Sequence, residues 1–237
     1  MKRLVLATWN VNSVRKRAEA VAEWLHANRP DALCLQETKV VDDDFPAGVF
    51  DECGYEVACC GQKTYNGVAI ASRHGLGDVR RGLISPDEDN GSPPGSEKYA
   101  FKLQFLAALK ERAAELAAAG RPVALGGDYN VAPRDEDVYD IEHWGRGQIA
   151  VTPPEREAYA GVLAAGYADA QLQLDAAPRS YTWWDYRAGG FRHDRGLRID
   201  HFLVHGARVD ALRVDRRARG APQPSDHAPV IVELGLG

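Results

Sequence analysis

The sequence predicts a single-domain α/β protein in which two packed mixed β-sheets are flanked by helices. Three observations carry that expectation. Short apolar runs bounded by Gly, Pro, Asn or Asp alternate with stretches of helical periodicity. In the last third of the chain the runs lie close together, a spacing that favours antiparallel pairing over regular strand–helix–strand crossovers. The 237 residues, 45% hydrophobic and 27% charged, supply one large core, with no linker or repeat to divide positions 1–237 into domains. No G-x-G-x-x-G or Walker-type loop is present, which argues against a doubly wound nucleotide-binding fold.

Residues 4–9 form a buried strand that stops at Asn10-Val11-Asn12. Ser13 is placed to cap the next helix, where Ala18, Val21, Ala22 and Leu25 recur on one face and Pro30 ends the run. Residues 32–35 form a second buried strand, leading into Gln36-Glu37-Thr38-Lys39. Residues 55–59 and 68–71 are two further strands, joined through a turn at Asn66-Gly67. From 73 to 95 Gly, Pro, Asp and Ser dominate without a strand pattern, an unusual length of loop for a compact domain. Ser96 opens a long helix with Leu103, Leu106, Leu109, Ala113 and Leu116 on one face and Gly120 as its stop. Residues 123–125 read as a short core strand that ends at two glycines and delivers Asp128 and Asn130 into a loop. After an irregular polar stretch, 134–147, the run Thr152-Pro153-Pro154-Glu155 starts a helix that Gly166 ends. The remainder reads as four strands: 180–186, 197–204, 208–214 and 229–234.

The formal net charge of -5 argues against binding nucleic acid through an overall positive field. It leaves DNA open as a substrate, because a basic rim can surround carboxylates that hold a metal. Cys34, Cys53, Cys59 and Cys60 lack C-x-x-C spacing, so buried thiols are expected rather than a disulfide frame or a zinc site. No run approaches about 18 apolar residues, so no membrane span is expected. The N-terminal apolar run is too short for a signal-peptide core, and a cytoplasmic location is the expectation.

Several core strands end in polar side chains: Asn10 and Asn12, Glu37, Asp128 and Asn130, and the Ser225-Asp226-His227 that precedes the last strand. Asp200 sits within an apolar strand and needs a partner, for which His227 is the candidate. Any one of these is ordinary at a strand end, where Asp and Asn serve the backbone. Together, on separate strands, they predict a shared site suited to metal-assisted phosphodiester hydrolysis. Carboxylate oxygens without cysteine or clustered histidine ligands suit Mg²⁺ or Mn²⁺ rather than zinc. An acidic side chain can then deprotonate a water while a histidine held by an aspartate supports the phosphoryl oxygen.

Five segments together resemble the exonuclease III / AP endonuclease family of the endonuclease/exonuclease/phosphatase superfamily. They are Trp9-Asn10-Val11-Asn12-Ser13-Val14-Arg15, Leu35-Gln36-Glu37-Thr38-Lys39, Gly126-Gly127-Asp128-Tyr129-Asn130-Val131-Ala132-Pro133, Arg195-Gly196-Leu197-Arg198-Ile199-Asp200 and Ser225-Asp226-His227-Ala228-Pro229. The resemblance implies a four-layer sandwich and Mg²⁺-dependent cleavage of double-stranded DNA at abasic sites or from 3′ ends, in base-excision repair; a monomer is expected. It implies Glu37 as principal metal ligand with Asn12 and Asp226 nearby. Asp128 would activate the water with Asn130 and Asn10 assisting, and His227 would contact the phosphate, oriented by Asp200. Trp183 and Leu197 match positions that hold a flipped-out abasic sugar.

The chain departs from the family pattern in one place. Two adjacent strands, the second ending in a Tyr-x-Pro-Asn stretch, belong between residues 80 and 96, and the chain is about twenty residues too short to hold them. Tyr99 falls in the following helix. Two alternatives follow: a catalytically impaired nucleic-acid-binding relative, or another phosphodiesterase on the same fold. The 181–186 and 195–200 segments speak against a lipid or small-molecule substrate.

Overall fold

The structure, a computed structural model, describes residues 2–83, 96–174 and 180–237. Its strands are β1 (Lys2–Asn10), β2 (Ala32–Gln36), β3 (Glu56–Cys60), β4 (Val68–Ser72), β5 (Val123–Asp128), β6 (Ala168–Asp169), β7 (Trp183–Trp184), β8 (Gly196–Leu197), β9 (Asp200–His205), β10 (Arg208–Val214) and β11 (Val230–Leu236). The helices are α1 (Val14–Asn28), α2 (Ala47–Glu52), α3 (Glu97–Ala118), α4 (Ile141–Trp144), α5 (Pro153–Leu163) and α6 (Arg216–Arg219). The first sheet runs β10-β11-β1-β2-β4-β3, the second β5-β9-β6, and β7 and β8 form a separate ribbon. Only β1 and β2 pair in parallel among the described strands, so the first sheet is mixed, as expected.

Alternation of side chains along the strands produces the layers. Ala7, Trp9, Leu33, Leu35, Ala69 and Ala71 face outward onto Val21, Trp24 and Leu25 of α1 and Phe50 of α2. Leu4 and Leu6 face inward with Val230, Val232 and Leu234, against Phe202 and Val204 of β9. On the far side of the second sheet, Leu203, Val123 and Leu125 meet Leu106 and Ala113 of α3 and Tyr159 and Val162 of α5. The order helix, sheet, sheet, helix is the four-layer arrangement. Each fully buried large apolar side chain contributes roughly 1.5–3 kcal/mol to it.

Gly126 lies opposite Phe202 in the β5–β9 register and makes room for its ring. A Cβ there would lie 2.3 Å from Cε1 of Phe202, so no side chain fits on that face of β5. Among the described residues the second sheet does not extend as far as the first. The register Thr8, Cys34, Ile70 places Ile70 on the inner face, yet Ile70 and Val68 are 46% and 52% exposed. Among the described residues β5 pairs only with β9 and forms the sheet edge. The predicted loss of two strands falls mostly on residues 84–95, outside the described residues; positions 80–83 and 96 carry no strand.

Four sequence expectations need correction. The strand expected over 180–186 shrinks to Trp183–Trp184. The strand expected over 197–204 breaks into β8 and β9, because its backbone N–H groups leave the ladder there. Arg198 N–H donates to the Asp137 carbonyl (2.8 Å), while those of Ile199 and Asp200 both donate to Thr182 Oγ1 (3.1 Å each). Ser13 does not cap α1 with its side chain; its φ of 89° turns the chain into the helix instead. On α3 the buried positions are Tyr99, Lys102, Leu106 and Ala113, so the stripe is rotated and contains a charge. Ser96 caps that helix by accepting from Tyr99 N–H, and Gly120 ends it at φ 69°. No helix of the described residues is long and apolar enough to cross a membrane.

Candidate active site

The ends of β1 and β2 are tied together and present three polar side chains. Val11 N–H donates to the Gln36 carbonyl (3.0 Å), Ser13 N–H to that of Glu37 (2.7 Å) and Val14 N–H to that of Thr38 (3.1 Å). From the other side Thr38 and Lys39 N–H donate to the Gly67 and Asn66 carbonyls. Gly67 has φ +83° and packs on Thr38, whose Oγ1 would lie 2.3 Å from an added Cβ. Only glycine meets both demands. Asn12 and Glu37 themselves hold left-handed φ of 44° and 50°, conformations that persist where the surroundings enforce them.

Asn10 is the bridge between these loops and β5. Its Nδ2 donates to Glu37 Oε1 (2.8 Å) and to Asp128 Oδ2 (3.0 Å), and its Oδ1 accepts from Asn12 N–H (3.0 Å). Asp128 stands opposite Asp200 in the β5–β9 register, and its Oδ1 accepts from Asn130 N–H (2.9 Å). The Asn130 side chain, half-buried, makes no hydrogen bond among the described residues. His227 is buried; its Nδ1 lies 2.9 Å from Asp200 Oδ2 and its Nε2 3.7 Å from Asp128 Oδ2. Ser225 fixes this loop by donating to the Asn10 carbonyl (2.6 Å) and accepting from His227 N–H (3.2 Å).

The electrostatics separate the roles. Burial pushes the Asp128 carboxyl up to about 7, with the Asp200 charge adding to it and His227 opposing. Burial works against the His227 imidazolium, but the carboxylates of Asp200 and Asp128 outweigh it and lift the ring to about 10. At neutral pH His227 therefore carries its charge, with a proton on both nitrogens, while Asp128 titrates in the range of a general base. Asp226 is held below the ordinary carboxylate range: burial opposes this, but His227, Asn12 and Trp183 outweigh it.

Glu37, Asp128 and His227 each offer a ligand atom, all within 4.8 Å of one another. Chemistry restricts which of them can serve. The His227 ring, charged and committed through Nδ1 to Asp200, has no lone pair for a cation. Of that group the oxygens of Glu37 and Asp128 remain, with those of Asn12 and Asp226 beside them, a hard donor set that fits a divalent ion bound by oxygen. Lys39 already places an ammonium against it, with Nζ 2.8 Å from Glu37 Oε2 and 2.6 Å from Asn12 Oδ1. Asn12 Nδ2 in turn donates to Asp226 Oδ1 (3.0 Å).

The predicted pocket residues lie beside this group. Trp183 pairs with Leu197 across the β7–β8 ribbon and bridges to His227. Its Nε1 donates to Asp226 Oδ2 (3.1 Å), and Trp144 packs edge-on against its ring. Trp184 instead is fully buried, and its Nε1 donates to Asp194 (3.1 Å). All ten residues singled out in the sequence thus fall in one neighbourhood. The sequence reading gave no role to Lys39, Thr182, Ser225 or Arg17. Arg17 holds the Asn12 carbonyl and donates to that of Pro224 (2.9 Å). Lys39, Ser225 and Thr182 had a signal, since each stands within two residues of a singled-out position; Arg17 had none.

Comparison with known proteins finds relatives along nearly the whole chain. A model of the Endonuclease/Exonuclease/phosphatase family matches residues 7–227. The chain is 30% identical over 262 residues to exodeoxyribonuclease III of Haemophilus influenzae, covering 96% of this chain and 98% of that protein. An alignment longer than the 237 residues of the chain places gaps in it, in line with the shortening read from the motifs. A 3′ phosphatase from Neisseria, solved with a product DNA hairpin, superposes with a TM-score of 0.92 at 37% identity, covering 98% of this chain and 99% of that one. An AP endonuclease from Archaeoglobus fulgidus does so at 0.90 and 34%, covering 97% and 98%. The chain belongs to the endonuclease/exonuclease/phosphatase family, within its exonuclease III and AP endonuclease branch.

Proposed function

We propose that the protein is a Mg²⁺-dependent DNA phosphodiesterase of base-excision repair, cutting double-stranded DNA at abasic sites and trimming 3′ ends. The observation that carries this reading is the juxtaposition of a titratable Asp128, a charged His227 and an oxygen-rich Glu37. Glu37, with Asn12 and Asp226 beside it, would hold the cation, which offsets charge on the phosphate and the departing oxygen. Asp128 takes a proton from the attacking water, which Asn130 and Asn10 orient. His227 donates from Nε2 to a phosphoryl oxygen, and Asp200 keeps the ring charged and correctly turned. Trp183, backed by the buried Leu197, would offer an apolar wall to the sugar of an extruded nucleotide, which costs less unstacking when its base is missing. A cytoplasmic location and a monomeric state belong to the same reading.

The test is a duplex oligonucleotide carrying one abasic site, incubated with Mg²⁺ or with EDTA. A nick at that site is expected with Mg²⁺ alone, and Glu37→Ala is expected to lose it. A nick that survives EDTA or Glu37→Ala refutes the reading. The edge position of β5 among the described residues favours a second reading, an impaired relative that binds DNA without cutting it. Salt-dependent retention of the duplex without turnover would select it.

A further inference from the structure

Lys102 is a charge on the buried face of α3, 2% exposed, facing neither solvent nor substrate. Its ammonium donates to the Asn130 backbone carbonyl (2.5 Å) and pairs with Glu155, itself 0% exposed. Asn130 holds a left-handed φ of 51°, two residues after the proposed base. Glu155 steadies the same loop from its far end. Its carboxylate accepts from Ala150 N–H (3.1 Å), and the Ala150 carbonyl accepts from Ala132 N–H (2.8 Å). It also accepts from Thr152 N–H (3.0 Å) and hydroxyl (2.7 Å), and Tyr99 OH completes the cluster against Thr152 Oγ1 (2.6 Å).

A buried ion pair is a weak source of net stability, since desolvation consumes much of the attraction. Burial lowers the pKa of Lys102, and Glu155 restores part of it. A core of this size could fill the space with apolar side chains. The geometry instead spends one ammonium hydrogen bond on a carbonyl of the catalytic loop. We infer that Lys102 is a positioning residue, whose ammonium tethers the Asn130 carbonyl and so fixes the turn that presents Asp128 and Asn130 to the phosphate. This rests on the functional reading above for its effect on rate, not for the tether itself.

The experiment compares Lys102→Met, Glu155→Gln, Lys102→Met/Glu155→Gln and Lys102→Arg. Each is assayed for melting temperature, for kcat and KM on an abasic duplex, and for ¹⁵N amide relaxation at residues 128–131. Displacement of reacting groups by about 1 Å can cost on the order of 100-fold in rate. Lys102→Met/Glu155→Gln should melt near wild type, lose roughly 10- to 100-fold in kcat with KM little changed, and show a mobile Asn130 amide. Glu155→Gln, which keeps the donor to Asn130, should stay within about threefold in kcat. Lys102→Arg should recover much of the rate. If the double variant keeps wild-type kcat, or if kcat falls in both single variants only in proportion to melting temperature, the proposal is overturned. Should the double variant not fold, the contrast between the two single variants decides in the same way. A wild type that does not nick the duplex refutes the functional reading, while the amide relaxation still decides the tether: unchanged mobility in Lys102→Met overturns it.

Discussion

Replacing Asp200 by Asn removes the charge nearest to His227 while keeping the shape of the side chain. In the native protein Nδ1 and Asp200 Oδ2 are 2.9 Å apart and the ring is lifted to about 10. At pH 8 the native ring is about 99% protonated; returned to its ordinary value near 6.5 it would be about 3% protonated. The rate should therefore fall by about 30-fold at pH 8 and by less than about twofold at pH 6. Asp128 retains part of the stabilisation, which makes 30-fold the ceiling for the loss of charge alone. Single-turnover cleavage of an abasic duplex across this pH range, at fixed Mg²⁺, reads the ratio of wild type to variant. An NMR titration of the His227 ring reads its protonation directly. A ratio that stays constant with pH would mean that Asp200 only orients the ring, and an unshifted titration would refute the electrostatic account. The same pair has a stability signature. Because the folded value lies above 6.5, its contribution is complete below that pH and is lost as pH rises through about 10.

Other expectations follow from the site and its supports. In wild type, kcat/KM should rise through about pH 7 as Asp128 ionises, and Mg²⁺ should move that limb downward by favouring the carboxylate; a limb that does not respond to Mg²⁺ would contradict the placement of the ion. Trp183→Phe removes the indole donor to Asp226 and keeps an aromatic wall, so the Mg²⁺ needed for half-maximal rate should rise by roughly 10-fold. Arg198 is buried between Asp137 and Asp169, with contacts of 2.8 Å to each. Arg198→Met removes the counter-ion shared by two buried carboxylates and should cost roughly 3–5 kcal/mol by urea unfolding. Its pH dependence should also weaken. Both carboxyls now lie below the ordinary value, despite the burial that raises them, so they stabilise above that value and lose it in acid. In the variant, burial is opposed only by His201, Arg134 and Tyr159, so less stability should be lost on mild acidification than in wild type. Gly126→Ala drives a Cβ into the Phe202 ring and should cost roughly 1–3 kcal/mol.

Much of the site was legible in the sequence because its chemistry sits at strand ends, where polar residues stand out against apolar runs. Asn10, Glu37, Asp128 and His227 announce themselves in this way, and Asp200 does so as a carboxylate inside an apolar run. The long strands of the first sheet were legible for the same reason. The β7–β8 ribbon was not. Its break from β9 depends on Thr182 Oγ1 and the Asp137 carbonyl capturing three consecutive N–H groups, contacts between segments far apart in the chain. Lys102 was hidden because helical periodicity was read through Leu103 and Leu116. A lysine one position away could satisfy the same apolar face only by reaching Glu155, from another helix. The failure of Ser13 to cap α1 has a similar origin, since the carbonyls of the Glu37 loop take up the backbone N–H groups of Ser13 and Val14.

The central claim is that Asp128 delivers a water to the phosphorus. A single turnover of the abasic duplex in H₂¹⁸O, followed by mass spectrometry of the product phosphate, tests it most directly. One ¹⁸O in the phosphate is the predicted result, together with a free 3′-hydroxyl on the other fragment and no product from Asp128→Asn. A nick that leaves the phosphate without ¹⁸O would mean that the strand is broken without water attack, and would contradict the account.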